Sequence, residues 1–157
     1  MKTLIKTARA AMITMAMLAG TAAVAQDITI AVVPKVAVPF FDDCNTGAQA
    51  AADALGVGYQ WVVPQNTQGA TQVKIMEDLI ARHVSGIAIS VNEPKSVEGV
   101  IKQAMDAGIK VVTFDSDSAE SGRSMYIGTI NKQAGVTMGN SMAEKLGGKG
   151  KVAIITG

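Results

Sequence analysis

Short apolar runs rich in β-branched residues alternate along this chain with longer segments of helical period, and this constrains the fold more than any other feature. Ile28 to Val33 is a strand-length run closed by Pro34. Without polar alternation, such a run reads as a strand buried on both faces. Phe41 to Leu55 then carries Ala, Leu and polar residues at helical spacing and stops at Gly56. The same two periods recur. Strands are predicted over 59–63, 86–91, 110–114, 125–128 and 151–156, and helices over 67–82, 95–107 and 131–146. This order predicts an α/β fold, a doubly wound parallel sheet with helices on both faces. Right-handed crossovers gather the strand carboxyl ends along one edge, where ligands of such sheets sit. The segments to inspect are those just after each strand: 34–41, 64–69, 92–95 and 115–118.

The first 25 residues stand outside this pattern. Lys2, Lys6 and Arg9 precede an uncharged apolar run from Ala10 to Leu18, and Ala23-Val24-Ala25 sets small residues before a cut at Gln26. This is the layout of a cleaved secretory signal peptide, and the run is shorter than the ~20 apolar residues that span a bilayer. Removing it takes three of the 14 basic residues, so 11 face 13 acidic ones in a mature chain of formal net charge −2. Such a chain lacks the cationic surface that a phosphate-neutralising nucleic-acid binder needs. A single cysteine excludes an internal disulfide and any multi-cysteine zinc module. The last predicted strand, 151–156, has no helix after it, and its exposed apolar surface implies a longer parent protein.

The strand ends carry the candidate chemistry. No GxGxxG or GxxxxGK[ST] follows the first strand, so neither a dinucleotide fold nor a P-loop is supported. That loop instead offers Lys35, then Phe40 and Phe41 at the start of a helix. Either ring alone is more readily core, but paired at a crevice edge they suit the C–H face of a sugar. The third strand leads to Asn92 and the fourth to Asp115-Ser116-Asp117. A strand-end carboxylate accepts two hydroxyl hydrogen bonds in a nearly fixed geometry, although an aspartate there also suits a turn. Lys35 and Asp115 end different strands, so one crevice can take both. His83 ends a helix, where the dipole accounts for it. Cys44 has no histidine partner nearby, and Asp42 and Asp43 sit in a first helical turn. No nucleophile–base pair, metal cluster or cofactor motif is present, so a non-enzymatic binding module is expected, without cofactor or metal.

Together the signal peptide, ITIAVVPK, PFFDDCNTGAQAAADALG, VSGIAISVNEP, AGIKVVTFDSD and GKGKVAIITG resemble a type I periplasmic binding protein. That resemblance implies a two-lobed sugar receptor that closes on its ligand and delivers it, as a monomer, to the membrane permease of an ABC importer. It implies lobe one over 26–129 and the start of a truncated second lobe over 130–157. The branch with a lysine after the first strand and Asp-Ser-Asp after the fourth includes receptors for autoinducer-2 and rhamnose-like ligands. On that analogy Lys35 and Asp115 contact ligand, with Asp117 and Phe41 as further carry-overs. Ribose-type members have an asparagine where this chain has Val38 and an arginine where it has Ser116, which argues against ribose. The alternatives are the effector domain of a sugar-responsive regulator, disfavoured by the export signal, and a sugar-modifying enzyme. If the export reading is right, intact mass of secreted protein will correspond to a chain beginning at Gln26. Retention of Met1 would overturn it.

Overall fold

The computed structural model describes residues 28–155, so the signal-peptide segment and the end of the last predicted strand lie outside the described residues. Five parallel strands form one sheet: β1 (Thr29–Val33), β2 (Gly58–Trp61), β3 (Gly86–Ile89), β4 (Lys110–Phe114) and β5 (Met125–Ile127). Their spatial order is β2-β1-β3-β4-β5. Register runs from Val32 opposite Trp61 on one side to Val33 opposite Ile89 on the other. Among the described residues three α-helices connect strands, α1 (Asp42–Leu55), α2 (Gly69–Ala81) and α3 (Pro94–Asp106), and a fourth, α4 (Asn131–Lys145), follows β5. The α/β reading therefore holds.

Because β1 lies between β2 and β3, right-handed crossovers send α1 to one face and α2 and α3 to the other. The main core fills the second face. Ala31 and Val33 of β1, Ile87 and Ile89 of β3 and Val111 of β4 meet Met76 and Leu79 of α2 and Val97, Ile101 and Ala104 of α3. All are nearly or wholly buried, and apolar burial of about 25 cal/mol per Å² makes this the dominant favourable contribution.

The boundaries have local causes. The chain after Val38 first makes a 3₁₀ turn, Pro39–Phe41, and becomes α-helical only at Asp42. Helix α2 starts at Gly69 and not at residue 67, because the Asn66 side chain accepts from the Gln68 amide and the Thr71 hydroxyl. That Asx turn replaces the first helical bonds. At the other end of α2, His83 has φ +54°, its N–H bonds Ile80, and the Val84 N–H bonds Leu79. This is a Schellman cap with histidine in the place usual for glycine. It corrects the simple dipole reading of that residue.

The strand predicted over 151–156 does not form across its described part. Residues 151–155 are irregular and exposed, with Ile154 87% and Ile155 95% accessible. A strand needs a neighbour to take its backbone hydrogen bonds, and none lies beside this segment among the described residues. Likewise α4 forms as predicted but buries none of its residues.

Helices α2 and α3 begin side by side. The Glu93 carboxylate accepts from the Gly69 N–H and from Ser96 Oγ, which holds its pKa below the usual carboxylate value. One side chain thus serves an orphan donor of α2 from the N-cap of α3. A Cβ on Gly69 would lie 2.6 Å from Ser96 Cβ and 2.8 Å from Glu93 Oε2. Gly69→Ala is therefore expected to destabilise by roughly 1–3 kcal/mol through overpacking. Gly99→Ala, in α3 with nothing near its Cβ position, should stabilise by roughly 0.5–1 kcal/mol. Urea unfolding of both variants checks the opposite signs.

Candidate functional site

The strand order reverses between β1 and β3, and the loops after these strands part at the carboxyl edge of the sheet. Such a switch point leaves a crevice. Here one of about 480 Å³ is lined by Lys35, Asn92, Asp117, Tyr126, Thr129 and Asn131, among others.

Lys35 follows β1 and Asp115 follows β4, and Lys35 Nζ lies 3.8 Å from Asp115 Oδ2, each side chain about one-third exposed. The wholly buried Ser90, just past β3, donates its hydroxyl to the same Oδ2 at 2.7 Å. Among the described residues Oδ1 has no hydrogen-bond donor, so the carboxylate is oriented by one oxygen and open at the other. Asp115 itself has φ +58°, a left-handed conformation that aspartate tolerates better than most residues. Its N–H bonds the Ile127 carbonyl, and its carbonyl accepts from the Tyr126 hydroxyl at 2.9 Å. The Tyr126 ring lies directly over Gly128, where no side chain would fit.

Asn92 donates its side-chain amide to the Lys35 carbonyl at 3.0 Å, joining the loops after β1 and β3. Asp117 is more tightly held. Arg123 grips both of its oxygens through Nε and Nη2, and Thr113 donates to Oδ1 at 2.6 Å. The Arg123 guanidinium, more than any other neighbour, holds the Asp117 carboxyl below the usual carboxylate range, and the pairing raises the arginine in turn.

The aromatic pair divides. Phe40 is 67% exposed, whereas Phe41 is 3% exposed, edge-on between Phe40 at 5.0 Å and Phe114 at 6.2 Å. Packed in this way, Phe41 has little ring face left for a ligand. It lines a separate depression of about 280 Å³ with Val38, Pro39, Trp61 and Val63. Cys44 is exposed in the first turn of α1 and lines neither of these two depressions.

Of the six residues singled out from sequence, Lys35, Asn92, Asp115 and Asp117 thus gather at one sheet edge. Ser90, Arg123 and Tyr126 were missed, as was the wholly buried Gln72 of α2, which bonds the Ser90 carbonyl and the Asn92 N–H. A polar Gln72 in the apolar stripe with Met76 and Leu79 was the one legible signal among them.

The sequence profile described as a periplasmic binding protein domain matches residues 30–157. The ribose import binding protein of Escherichia coli K12 is 30% identical over 86% of this chain and 45% of its own length. The multiple sugar-binding periplasmic receptor of Rhizobium radiobacter is 30% identical over 96% of this chain and 44% of its own. The chain thus spans about half the length of the curated relatives it matches. Among solved structures, an ABC-transporter solute-binding protein from Burkholderia graminis C4D1M in complex with D-arabinose is 72% identical, with TM-score 0.76 over 79% of this chain and 43% of that one. A second, from Clostridium saccharobutylicum in complex with AI-2, is 28% identical, with TM-score 0.65 over 81% and 41%.

A depressed aspartate pKa stabilises the fold above its unfolded value of about 3.9, and that stabilisation is lost as pH falls through the lower folded value. Arg123→Met should therefore cost stability at neutral pH, and its deficit against the wild type should shrink in acid. Chemical unfolding at pH 7 and pH 3 checks this. A deficit that does not change between them would mean that Arg123 acts by packing alone.

Proposed function

The chain belongs to the periplasmic binding protein domain family, and we propose on that footing that it is the sugar-capturing component of an ABC importer. Members of this family are binding proteins and not enzymes. The observation that carries the reading is the Asp115 carboxylate, anchored at Oδ2 by Ser90 and Lys35 and open at Oδ1. An oriented carboxylate beside an ammonium group matches vicinal hydroxyls, which donate to one and accept from the other. Asn92 sets the Lys35 loop, Asp117 shapes the crevice floor, and the exposed Phe40 ring offers a face to sugar C–H groups.

In this reading residues 26–129 form the first lobe, and α4 opens the second, consistent with a helix that buries none of its residues. The protein is exported after cleavage before Gln26, acts in the periplasm as a monomer, and hands its ligand to a membrane permease. A pentose of the D-arabinose type is the favoured ligand, supported by the 72% identical complex. The autoinducer-2 and rhamnose-like reading is second, supported by the more distant AI-2 complex.

Calorimetric titration with D-arabinose tests the site. Asp115→Asn keeps the side-chain shape and the tolerance of positive φ that alanine lacks, but loses the charge. It should weaken binding by about 1.5–3 kcal/mol, the contribution of hydrogen bonds to a charged group. Lys35→Met should move affinity in the same direction, while Cys44→Ser should not change it. Wild-type affinity in Asp115→Asn would overturn the site assignment, and tighter binding of AI-2 than of any pentose would promote the second reading.

A further inference from the structure

Beneath the crevice a single side chain joins the strand ends that carry it. Gln72 belongs to α2 and is wholly buried, in the stripe it shares with Met76 and Leu79. A buried amide is tolerated only when its polar atoms are bonded. Here the bonds go to backbone beyond the sheet and not to the helix. Gln72 Nε2 donates to the Ser90 carbonyl at 2.7 Å and, more distantly, to the Pro34 carbonyl at 3.5 Å. Its Oε1 accepts from the Asn92 N–H at 2.8 Å.

The position of these bonds explains what they do. The β1–β3 ladder ends with the Ser90 N–H on the Val33 carbonyl. The next rung would join the Lys35 N–H to the Ser90 carbonyl and the Asn92 N–H to the Lys35 carbonyl, and the Gln72 amide takes the Ser90 carbonyl and the Asn92 N–H instead. From there on, the two strands hold no regular register. Gln72 supplies the missing connection at the residues next to Lys35 and between Ser90 and Asn92. The contacts then close a ring. Gln72 bonds Ser90, Ser90 bonds Asp115, Asp115 pairs with Lys35, the Lys35 carbonyl accepts from Asn92, and the Asn92 amide returns to Gln72. Gln72 is the member of this ring that comes from a helix and does not itself reach the crevice.

We propose that Gln72 is a positioning residue, which sets the spacing of Lys35, Asn92 and Asp115 by clamping the ends of β1 and β3 past the last rung of their ladder, at Val33 and Ser90. The proposal rests on the reading of this crevice as the sugar site. A residue that served only the core would affect stability, as Met76 does, and leave the geometry above it alone.

The test compares Gln72→Met with Met76→Ala in the exported chain, by calorimetry with D-arabinose at a temperature where both are folded, and by NMR of the Asn92 side-chain amide. Gln72→Met should weaken binding about tenfold or more, the loss expected for one hydrogen bond to a charged group. It should also shift the Asn92 side-chain amide signals, although that amide bonds Lys35 and not Gln72. Met76→Ala should keep affinity within about twofold, as independent sites do. Equal affinity and unshifted Asn92 signals in Gln72→Met would overturn the proposal, as would parallel losses in both variants. If Gln72→Met does not fold, Gln72→Asn, which keeps the amide one methylene short, should give the same pattern, and wild-type behaviour in it would be equally fatal. If the unmutated chain binds none of D-arabinose, L-rhamnose and AI-2, the sugar reading fails, and the NMR signals alone decide the role of Gln72.

Discussion

The crevice and its contents depend on the central placement of β1. From β1 the chain crosses outward to β2 over one face, returns over the other to β3, and then continues away through β4 and β5. With right-handed crossovers imposed by strand twist, no other arrangement of this strand order is available. The loops after β1 and β3 leave in opposite directions beyond the Asn92 and Gln72 bonds that join their starts, and the crevice lies past those bonds. Parallel pairing also points all the carboxyl ends the same way. Lys35 and Asn92 are 57 residues apart, and Ser90 and Asp115 are 25 apart, yet each pair meets at this edge.

Stability and the charges at the crevice come from different groups. The sheet is held by the apolar layer beneath α2 and α3, in which Val33, Ile89, Met76 and Ile101 are fully buried. The Lys35–Asp115 pair, at 3.8 Å and one-third exposed, contributes little to the fold. Its charges remain available to a ligand. Asp117, two residues on, lines the same crevice but is committed to Arg123 and Thr113. Two aspartates in one short motif thus have different roles, because only one has a guanidinium across from it.

Much of this was legible in the residues. The strands over 29–33, 86–89 and 110–114 and all four helices lie where hydrophobic period and Gly or Pro punctuation put them. Lys35, Asn92 and Asp115 were singled out by a positional rule, that ligands sit past parallel strand ends, and the structure brings them to one sheet edge. The misses share a cause. Phe40 and Phe41 are identical in sequence terms, and only the approach of Phe114 buries one and leaves the other exposed. Arg123 lies in a loop without a pattern, and its partner is set by where β4 ends. The run at 151–155 has strand composition without strand structure, because a strand is completed by its neighbour.

By itself, the sequence determined the order and type of the elements and the edge at which chemistry would gather. Periodicity and chain punctuation are local properties, and handedness carries them to topology. The tertiary structure alone decided which side chains face the crevice, which are bound by partners, and that a glutamine from a helix joins two strand ends. Those outcomes depend on distances between residues far apart in the chain. Gln72 shows the division plainly: its place beside Met76 and Leu79 is written in the sequence, but that its amide takes the Ser90 carbonyl and the Asn92 N–H is known only once α2 has packed onto the sheet.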